Sequence, residues 1–263
     1  MEVIQCHEGF KVIDGKFSYH CMKAIVRMNN ELYLASWKPR RHDGIDPSEL
    51  FDVHMLQTSN RGPELQQSWR VVEPDPDHHV KKPKLSDYAS NELEVQMQRE
   101  IETWEMLQDH PHPNIALYYG CYKKNARATA LAFKKYKATL SETVNPQGLN
   151  KHQFMTSGRA LVSKEILVQL GAIREALDHL HHSLNHAHND INPSNIMLDQ
   201  DGMLVIIDFG SCRAVGESLQ VTGTARTHGW HNPQVDQSSA ENDIQALEEL
   251  IVWLSGSVDQ LHW

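Results

Sequence analysis

The chain has 263 residues, of which 40% are hydrophobic, and it carries a formal net charge of −9. This length suits one large domain or two small ones with a sizeable apolar core. The negative charge argues against nucleic acid or a membrane surface as the main partner. The sequence has no apolar run close to the roughly 20 residues of a transmembrane helix, and its N-terminus lacks the basic and apolar regions of a signal peptide.

The four cysteines and 17 histidines form no recognisable disulfide or metal-binding pattern. The cysteines are far apart and include no Cys-x-x-Cys pair, so neither a zinc knuckle nor a disulfide framework is indicated. No histidine pair has a nearby acid in the arrangement of a metalloenzyme, so surface and packing roles are expected for the histidines. We therefore expect an intracellular, cytoplasmic protein.

The first 40 residues predict β-strands. Residues 24–28 and 31–35 flank Asn29-Asn30, a pair that tolerates positive φ, and so predict a β-hairpin. The polar stretch 39–67, which Pro and Gly interrupt, predicts a long insertion with a short helix over 48–55.

The next segments alternate between short strands and one helix. Strands are predicted at 69–73 and 78–82, on either side of a Pro-Asp-Pro turn. Residues 91–108 carry apolar side chains at helical spacing, and the proline-rich run that follows ends the helix. The alternating segments 115–122 and 128–136 predict an antiparallel pair of strands.

After Leu140 the pattern becomes mainly helical. Apolar residues step by four and three from Ile166 to Leu180, and Ser163 can cap this helix. Strands at 196–198 and 203–207 are joined through an Asp-Gly turn, and a last amphipathic helix ends near Gly256. Strands with one helix thus precede helices around one hairpin, which predicts a two-lobed α+β fold.

Three polar residues lie on turns next to this hairpin. Asp190 and Asn195 are five residues apart on the loop before the first strand, and Asp208 follows the second strand. A carboxylate can accept or steer a hydroxyl proton, and an amide carbonyl is a hard oxygen ligand suited to Mg²⁺. A carboxylate at the end of a buried strand needs donors or a cation, which a metal-bound nucleotide provides.

This segment resembles the catalytic and metal-binding loops of the protein kinase superfamily. The matching motifs are His188-x-Asp190-x-x-x-x-Asn195 and Asp208-Phe209-Gly210. Over about 80–260, further matches follow the family's order: His112-Pro-Asn-Ile115, Thr227-x-Gly229-Trp230-x-x-Pro233, and Asp243 in the final helix. The resemblance implies a kinase-like fold with a β-rich N-lobe and a mainly helical C-lobe.

The resemblance also implies roles for individual residues. Asp190 would be the catalytic base, and Asn195 and Asp208 would hold Mg²⁺ on ATP. The lysine that binds the nucleotide phosphates would be Lys81, with Lys82 and Lys84 as alternatives. Its glutamate partner would be Glu100, 19 residues later and beside the buried stripe of the helix, with Glu102 as the alternative.

The chain departs from the family pattern at several positions. No Gly-x-Gly-x-x-Gly precedes Lys81, which puts tight nucleotide binding in doubt. Asn189 stands where kinases have the arginine that pairs with a phosphorylated activation loop, so no switch of that type is expected. Asn192 replaces a lysine that contacts the γ-phosphate, and Gln234 replaces a glutamate that forms a buried ion pair.

The resemblance predicts three parts: a strand-rich extension over 1–70, a kinase-like N-lobe over 71–136 and a truncated C-lobe over 137–263. The chain ends at Trp263, soon after the helix of Asp243, so the base of the C-lobe would be covered by the extension, a partner or self-association.

The predicted function is phosphoryl transfer from MgATP to a serine or threonine hydroxyl of a protein substrate. The alternatives are a pseudokinase that acts as a binding module, and a small-molecule phosphotransferase of the aminoglycoside or choline kinase type. The short C-lobe and the missing glycines favour the first alternative. Asp208-Phe209-Gly210 argues against the second.

Overall fold

The computed structural model describes residues 1–13, 16–159 and 162–263. The described residues form twelve strands and five α-helices. In chain order these are β1 (Glu2–Ile13), β2 (Lys16–Met28), β3 (Glu31–Trp37), β4 (Phe51–Met55), β5 (His78–Lys81), α1 (Leu93–Asp109), β6 (Tyr118–Lys124), β7 (Arg127–Lys134), β8 (Ala138–Thr139), α2 (Leu140–Val144), α3 (Lys151–Thr156), α4 (Lys164–Leu184), β9 (His186–Ala187), β10 (Ile196–Leu198), β11 (Leu204–Ile206), β12 (Arg213–Ala214) and α5 (Ala240–Ser255).

The predicted α+β class is confirmed, with 31% helix and 27% strand. The chain divides into two compact units. The first comprises Met1–Gln66, Lys81–Gln98 and Lys123–Ala130, and the second comprises Gln67–Val80, Arg99–Tyr122 and Leu131–Trp263. Among the helices of the described ranges, none has both the length and the apolar character needed to cross a membrane.

The first unit contains a four-stranded antiparallel sheet in the order β1-β2-β3-β4. The predicted hairpin is confirmed, because Asn29 and Asn30 connect β2 to β3 with φ of 50° and 65°. Apolar side chains on one face of this sheet form a buried cluster around Met22, Val26 and Trp37. Their alternation along the strands explains why this face is buried.

Two local predictions in the first 80 residues are wrong. Only Ser48 and Glu49 of the predicted helix at 48–55 are helical, as part of the single 3₁₀ turn Pro47–Glu49, and Phe51–Met55 is β4. Pairing with β3 supplies backbone hydrogen bonds that a helix would otherwise provide. Residues 69–73 form no strand. Among them, Val71 forms an isolated β-bridge with Cys121.

The long helices agree with the sequence patterns. Leu93, Met97, Ile101, Trp104 and Leu107 form the buried stripe of α1. Ser163 caps α4 by accepting a hydrogen bond from the amide of Ile166, as predicted, and Gly256 follows the last residue of α5.

The predicted hairpin of the second unit is β10–β11. Asp199 closes its turn, because the Oδ1 atom accepts hydrogen bonds from the amides of Asp201 and Met203. All three residues of β11 are buried, so this strand fixes the backbone that leads to Asp208.

Candidate active site

The loop between β9 and β10 is fixed by the buried ring of His188. Its Nδ1 accepts a hydrogen bond from the amide of Asp190 (3.2 Å), and its Nε2 lies 3.0 Å from the carbonyl oxygen of Ile207. An amide can only donate and a carbonyl can only accept, so the ring is the neutral tautomer with the proton on Nε2. This histidine thereby ties the Asp190 backbone to the end of β11.

Asp190 lies at the turn of this loop with both carboxylate oxygens oriented. Oδ1 accepts a hydrogen bond from the amide of Thr227 (2.7 Å), and Oδ2 accepts from the hydroxyl of Thr227 (3.0 Å) and from Nδ2 of Asn195 (3.0 Å). A carboxylate has about four lone-pair sites, so these three bonds hold its orientation and leave an acceptor position for another hydroxyl.

Asn195 is oriented by the same residue. Its Nδ2 donates to both the carbonyl (2.9 Å) and the carboxylate (3.0 Å) of Asp190. Both partners are acceptors, so the nitrogen must lie on this side and the carbonyl oxygen Oδ1 on the other. Within the described ranges no hydrogen bond reaches Oδ1, so this oxygen is available as a hard ligand.

Asp208 follows β11 in a left-handed conformation with φ of 58°, which aspartate tolerates better than most residues. Its Oδ1 accepts a hydrogen bond from the amide of Gly210 (3.3 Å). The next residue, Phe209, is fully buried, with its ring centroid 4.9 Å from that of Trp104 and 4.7 Å from that of His188. This aromatic packing holds the turn that presents Asp208.

The structure brings Glu100 close to this turn. A Cβ atom placed on Gly210 would lie 3.3 Å from Oδ1 of Asp208 and 3.9 Å from Oε2 of Glu100. Both carboxylates therefore border the same small space, and Oε1 of Glu100 lies 3.5 Å from the indole nitrogen of Trp104. The alternative, Glu102, is exposed.

Lys81 is the last residue of β5 and is half-buried. Lys82 and Lys84 are exposed and lie outside the strand. A phosphate lysine needs a defined position relative to a strand, so Lys81 remains the best candidate among the three.

The carboxylate of Asp243, on α5, holds the backbone of the loop between β9 and β10. Asp243 is fully buried, and its carboxylate accepts hydrogen bonds from the amides of His188 (2.8 Å) and Asn189 (2.7 Å) and lies 2.8 Å from Nε2 of His181. A buried carboxylate is stabilised by such donors. Asp243, which the sequence motifs placed in the final helix, therefore fixes the backbone of His188 and Asn189.

Asn192 occupies the place where the resemblance implies a lysine. It is buried, and its Nδ2 donates to the carbonyl of Asp190 (3.0 Å) and to the hydroxyl of Thr227 (3.1 Å). Its Oδ1 accepts from the amide of Ser194 (2.9 Å). The amide thus contacts the Asp190 backbone and Thr227 but brings no positive charge.

Sequence reasoning missed Arg226. Its Nε donates to the carbonyl of Asn189 (2.8 Å), and Nη1 lies 3.4 Å from the carbonyl of Val235. Burial lowers the pKa of Arg226, and the carboxylates of Asp190 and Asp243 act in the opposite direction. The available signal was its position directly before Thr227, a residue that the motif already contained.

A family model described as "Protein kinase domain" matches residues 77–249. A probable serine/threonine-protein kinase of Streptomyces coelicolor is 31% identical over 104 residues, which are 37% of this chain and 15% of that protein. A probable LIM domain-containing serine/threonine-protein kinase of Dictyostelium discoideum is 28% identical over 158 residues, 59% of this chain and 22% of that protein. Mouse serine/threonine-protein kinase Nek10 is 29% identical over 147 residues, 56% of this chain and 12% of that protein.

The chain therefore spans less than a quarter of the length of each of these relatives. The match to the family model covers both the Asp190 loop and the Asp208 turn.

Proposed function

The chain belongs to the protein kinase family, and we propose that it transfers the γ-phosphoryl group of MgATP to a serine or threonine hydroxyl of a protein substrate. In this proposal Asp190 is the catalytic base, Asn195 and Asp208 hold Mg²⁺, Lys81 binds the nucleotide phosphates and Glu100 positions Lys81. The relatives named above are serine/threonine kinases, which supports this class of acceptor. Their names also favour a protein substrate over a small molecule.

The observation that carries the proposal is the oriented carboxylate of Asp190. Three hydrogen bonds from Thr227 and Asn195 fix its plane and leave an acceptor position for a substrate hydroxyl. A positioned carboxylate can receive the hydroxyl proton as the new oxygen–phosphorus bond forms and the bond from the γ-phosphorus to the leaving ADP breaks. Since phosphoryl transfer depends mainly on positioning and charge stabilisation, this pre-orientation is the main contribution of the loop.

The residues near Asp208 suit Mg²⁺, which prefers hard oxygen ligands. Oδ1 of Asn195 and the carboxylate of Asp208 supply two such oxygens, and Glu100 adds negative charge beside Gly210. When bound, MgATP supplies the phosphoryl group and the metal neutralises charge on its oxygens. The protein's own residues orient the acceptor hydroxyl and receive its proton.

A pseudokinase is the second candidate, because one observation favours it. Asn192 is uncharged and its amide nitrogen is engaged with Asp190 and Thr227. The site therefore lacks the cation that would lie at this position near a transferring phosphate. In that case the chain would bind nucleotide or protein without transferring phosphate.

Two assays on the same preparation test the proposal. MgATP should raise the melting temperature of the wild type, because a ligand that binds only the folded state stabilises it. Asp208→Asn should abolish this shift. Transfer of radiolabelled γ-phosphate to generic protein substrates should occur with the wild type and be lost in Asp190→Ala.

The pattern of results separates the candidates. A MgATP-dependent shift without phosphate transfer would favour the pseudokinase and contradict the catalytic proposal. Asp178→Asn on the exposed face of α4 is the control and should behave as the wild type in both assays. Activity that survives Asp190→Ala would show that Asp190 is not the base.

A further inference from the structure

The loop that carries Asp190 lies close to two carboxylates but contains no cationic side chain between His188 and Asn195. One is the carboxylate of Asp190 itself, and the other is that of the buried Asp243, which accepts hydrogen bonds from the amides of His188 and Asn189. Carboxylates that lie near one another in a partly buried site repel unless donors or cations compensate. Both carboxylates accept hydrogen bonds from uncharged donors, and a positive charge from another segment would stabilise them further.

Arg226 places a positive charge beside the loop that carries Asp190. The guanidinium donates through Nε to the carbonyl of Asn189, the residue directly before Asp190. The chain then continues to Thr227, whose amide and hydroxyl both contact the Asp190 carboxylate. Arg226 thus contacts the backbone of the loop, and Thr227, the next residue, contacts the side chain of Asp190.

The guanidinium is also an electrostatic neighbour of both carboxylates. Asp190 and Asp243 each favour its charged form, against the cost of burial. His231 lies on the same segment, and its Nδ1 is 2.9 Å from the carbonyl of Thr227. Burial, together with the Arg226 charge, lowers the pKa of His231, so the surroundings of this imidazole disfavour a second positive charge.

We propose that Arg226 is a positioning residue for Asp190: its guanidinium supplies, from outside the loop, the positive charge that Asn189 and Asn192 do not provide, and it holds the loop through the Asn189 carbonyl. The role in catalysis rests on the proposed kinase function. Arg226 acts through Asp190 and is not assigned a contact with substrate.

Arg226→Gln and Arg226→Lys test this role in the phosphate-transfer assay. Arg226→Gln should lower kcat about 100-fold, because small displacements of a catalytic group have effects of this size. The KM for ATP should stay within about two-fold of the wild-type value, since the ATP ligands are elsewhere. Arg226→Lys should recover part of kcat by restoring the charge. Added guanidinium ion should raise the activity of Arg226→Ala and leave Asp190→Ala inactive.

The matched control is Arg174→Gln, which removes an arginine from an exposed ion pair with Asp178. Its kcat should equal that of the wild type. An unchanged kcat in Arg226→Gln would overturn the proposal, as would equal losses in the Gln and Lys variants without guanidinium rescue.

Amide hydrogen exchange tests the structural part without any activity. The segment 186–195 should exchange faster in Arg226→Gln than in the wild type, whereas exchange in α4 should not change. Equal exchange of this segment in both proteins would contradict the proposed clamp. If the wild type transfers no phosphate, this measurement still decides the position of the loop, and the kinase proposal alone fails.

Discussion

At the scale of single residues, Asn189 shows why a departure from the family motif is compatible with the loop. Its φ is 65°, a left-handed value that asparagine adopts more easily than arginine. The two hydrogens of its Nδ2 are shared among three acceptors, the carbonyls of Ala187 (2.8 Å) and Ser211 (3.2 Å) and the hydroxyl of Ser238 (3.0 Å). Its Oδ1 accepts from Asn242 (3.0 Å). The small amide is therefore fully paired in a buried position.

Restoring the arginine of the family motif should consequently be harmful. Asn189→Arg replaces a buried, hydrogen-bonded amide by a larger charged group and is expected to lower the free energy of unfolding by at least about 3 kcal/mol. Urea unfolding followed by tryptophan fluorescence measures this change.

Asn125→Arg separates burial from backbone strain in that experiment. Asn125 also has a left-handed conformation, with φ of 56°, but it is exposed in the turn between β6 and β7. Its replacement should cost about 1 kcal/mol, the strain of the left-handed backbone alone. Equal losses for the two variants would contradict the role given to burial.

The motif spacing alone located the polar residues of the site but not all their partners. Asp190, Asn195 and Asp208 lie on turns around β10 and β11, as their spacing predicts. Arg226 was not predicted, because its contact with Asn189 spans 37 residues and leaves no periodic pattern. The proposed roles of these residues in catalysis await the assays described above.

At the scale of elements, Arg61, which lies in the segment after β4, holds the first turn of α1. Arg61 forms a two-bonded ion pair with Glu94, with Nη2 2.9 Å from Oε2, and donates to the carbonyls of Tyr88 (3.1 Å) and Ser90 (3.0 Å). The hydrogen bond from Arg61 lowers the pKa of Glu94 from 4.5 to about 2, against the effect of burial. Arg61 thus joins the segment after β4 to the start of α1 within the first unit.

The pH dependence of stability should reveal this ion pair. Since the folded pKa of Glu94 is below the ordinary value, its stabilising effect is complete above about pH 4.5 and is lost as the pH falls towards about 2. Glu94→Gln should lower the free energy of unfolding by about 2 kcal/mol at pH 7, allowing for partial exposure. The difference from the wild type should shrink between pH 4.5 and pH 3 in urea unfolding.

Glu64→Gln is the matched control for this pair. Glu64 also contacts an arginine, Arg127, but its side chain is 81% exposed, and exposed pairs contribute little. Its replacement should leave the free energy of unfolding within about 0.5 kcal/mol of the wild type at every pH. A pH-independent loss in Glu94→Gln would mean that its effect is not due to the ion pair.

Element predictions succeeded where the signal is local and long. The apolar periodicity of α1, α4 and α5 extends over several turns, so neighbouring residues specify the helix. The segments at 48–55 and 69–73 are short, and their conformation depends on pairing with residues that are far away in the sequence. For that reason β4 was predicted as a helix and the segment at 69–73 as a strand.

At the scale of the whole molecule, a buried ion pair between Lys151 and Glu249 links distant segments of the second unit. Lys151 forms an ion pair with the fully buried Glu249, donates to the carbonyl of Gly229 (2.6 Å) and lies 4.5 Å above the ring of Trp230. Glu249 also accepts hydrogen bonds from the amides of His262 (3.0 Å) and Trp263 (3.2 Å). This pair joins α3, α5 and the segment around Trp230.

Breaking the pair should destabilise the protein strongly. Glu249→Gln removes the carboxylate and leaves Lys151, whose pKa burial already lowers, without its anion. We expect a loss of about 3 kcal/mol in the free energy of unfolding. Asp178→Asn, which breaks an exposed pair on α4, should cost less than about 0.5 kcal/mol in the same urea experiment. If the two variants lost similar amounts of the free energy of unfolding, the buried pair would not stabilise the protein more than the exposed pair does.

The sequence by itself determined the α+β class, the long helices and the hairpin next to the candidate site, and it singled out Asp190, Asn195 and Asp208 as candidate residues. These features follow from periodicity, caps and fixed spacing, which act over a few residues. Only the tertiary structure decided that Glu100 rather than Glu102 borders Gly210, that Arg226 contacts the loop and that Lys151 pairs with Glu249. Those contacts join residues that are far apart in the chain, and their formation depends on packing and burial that no local pattern contains.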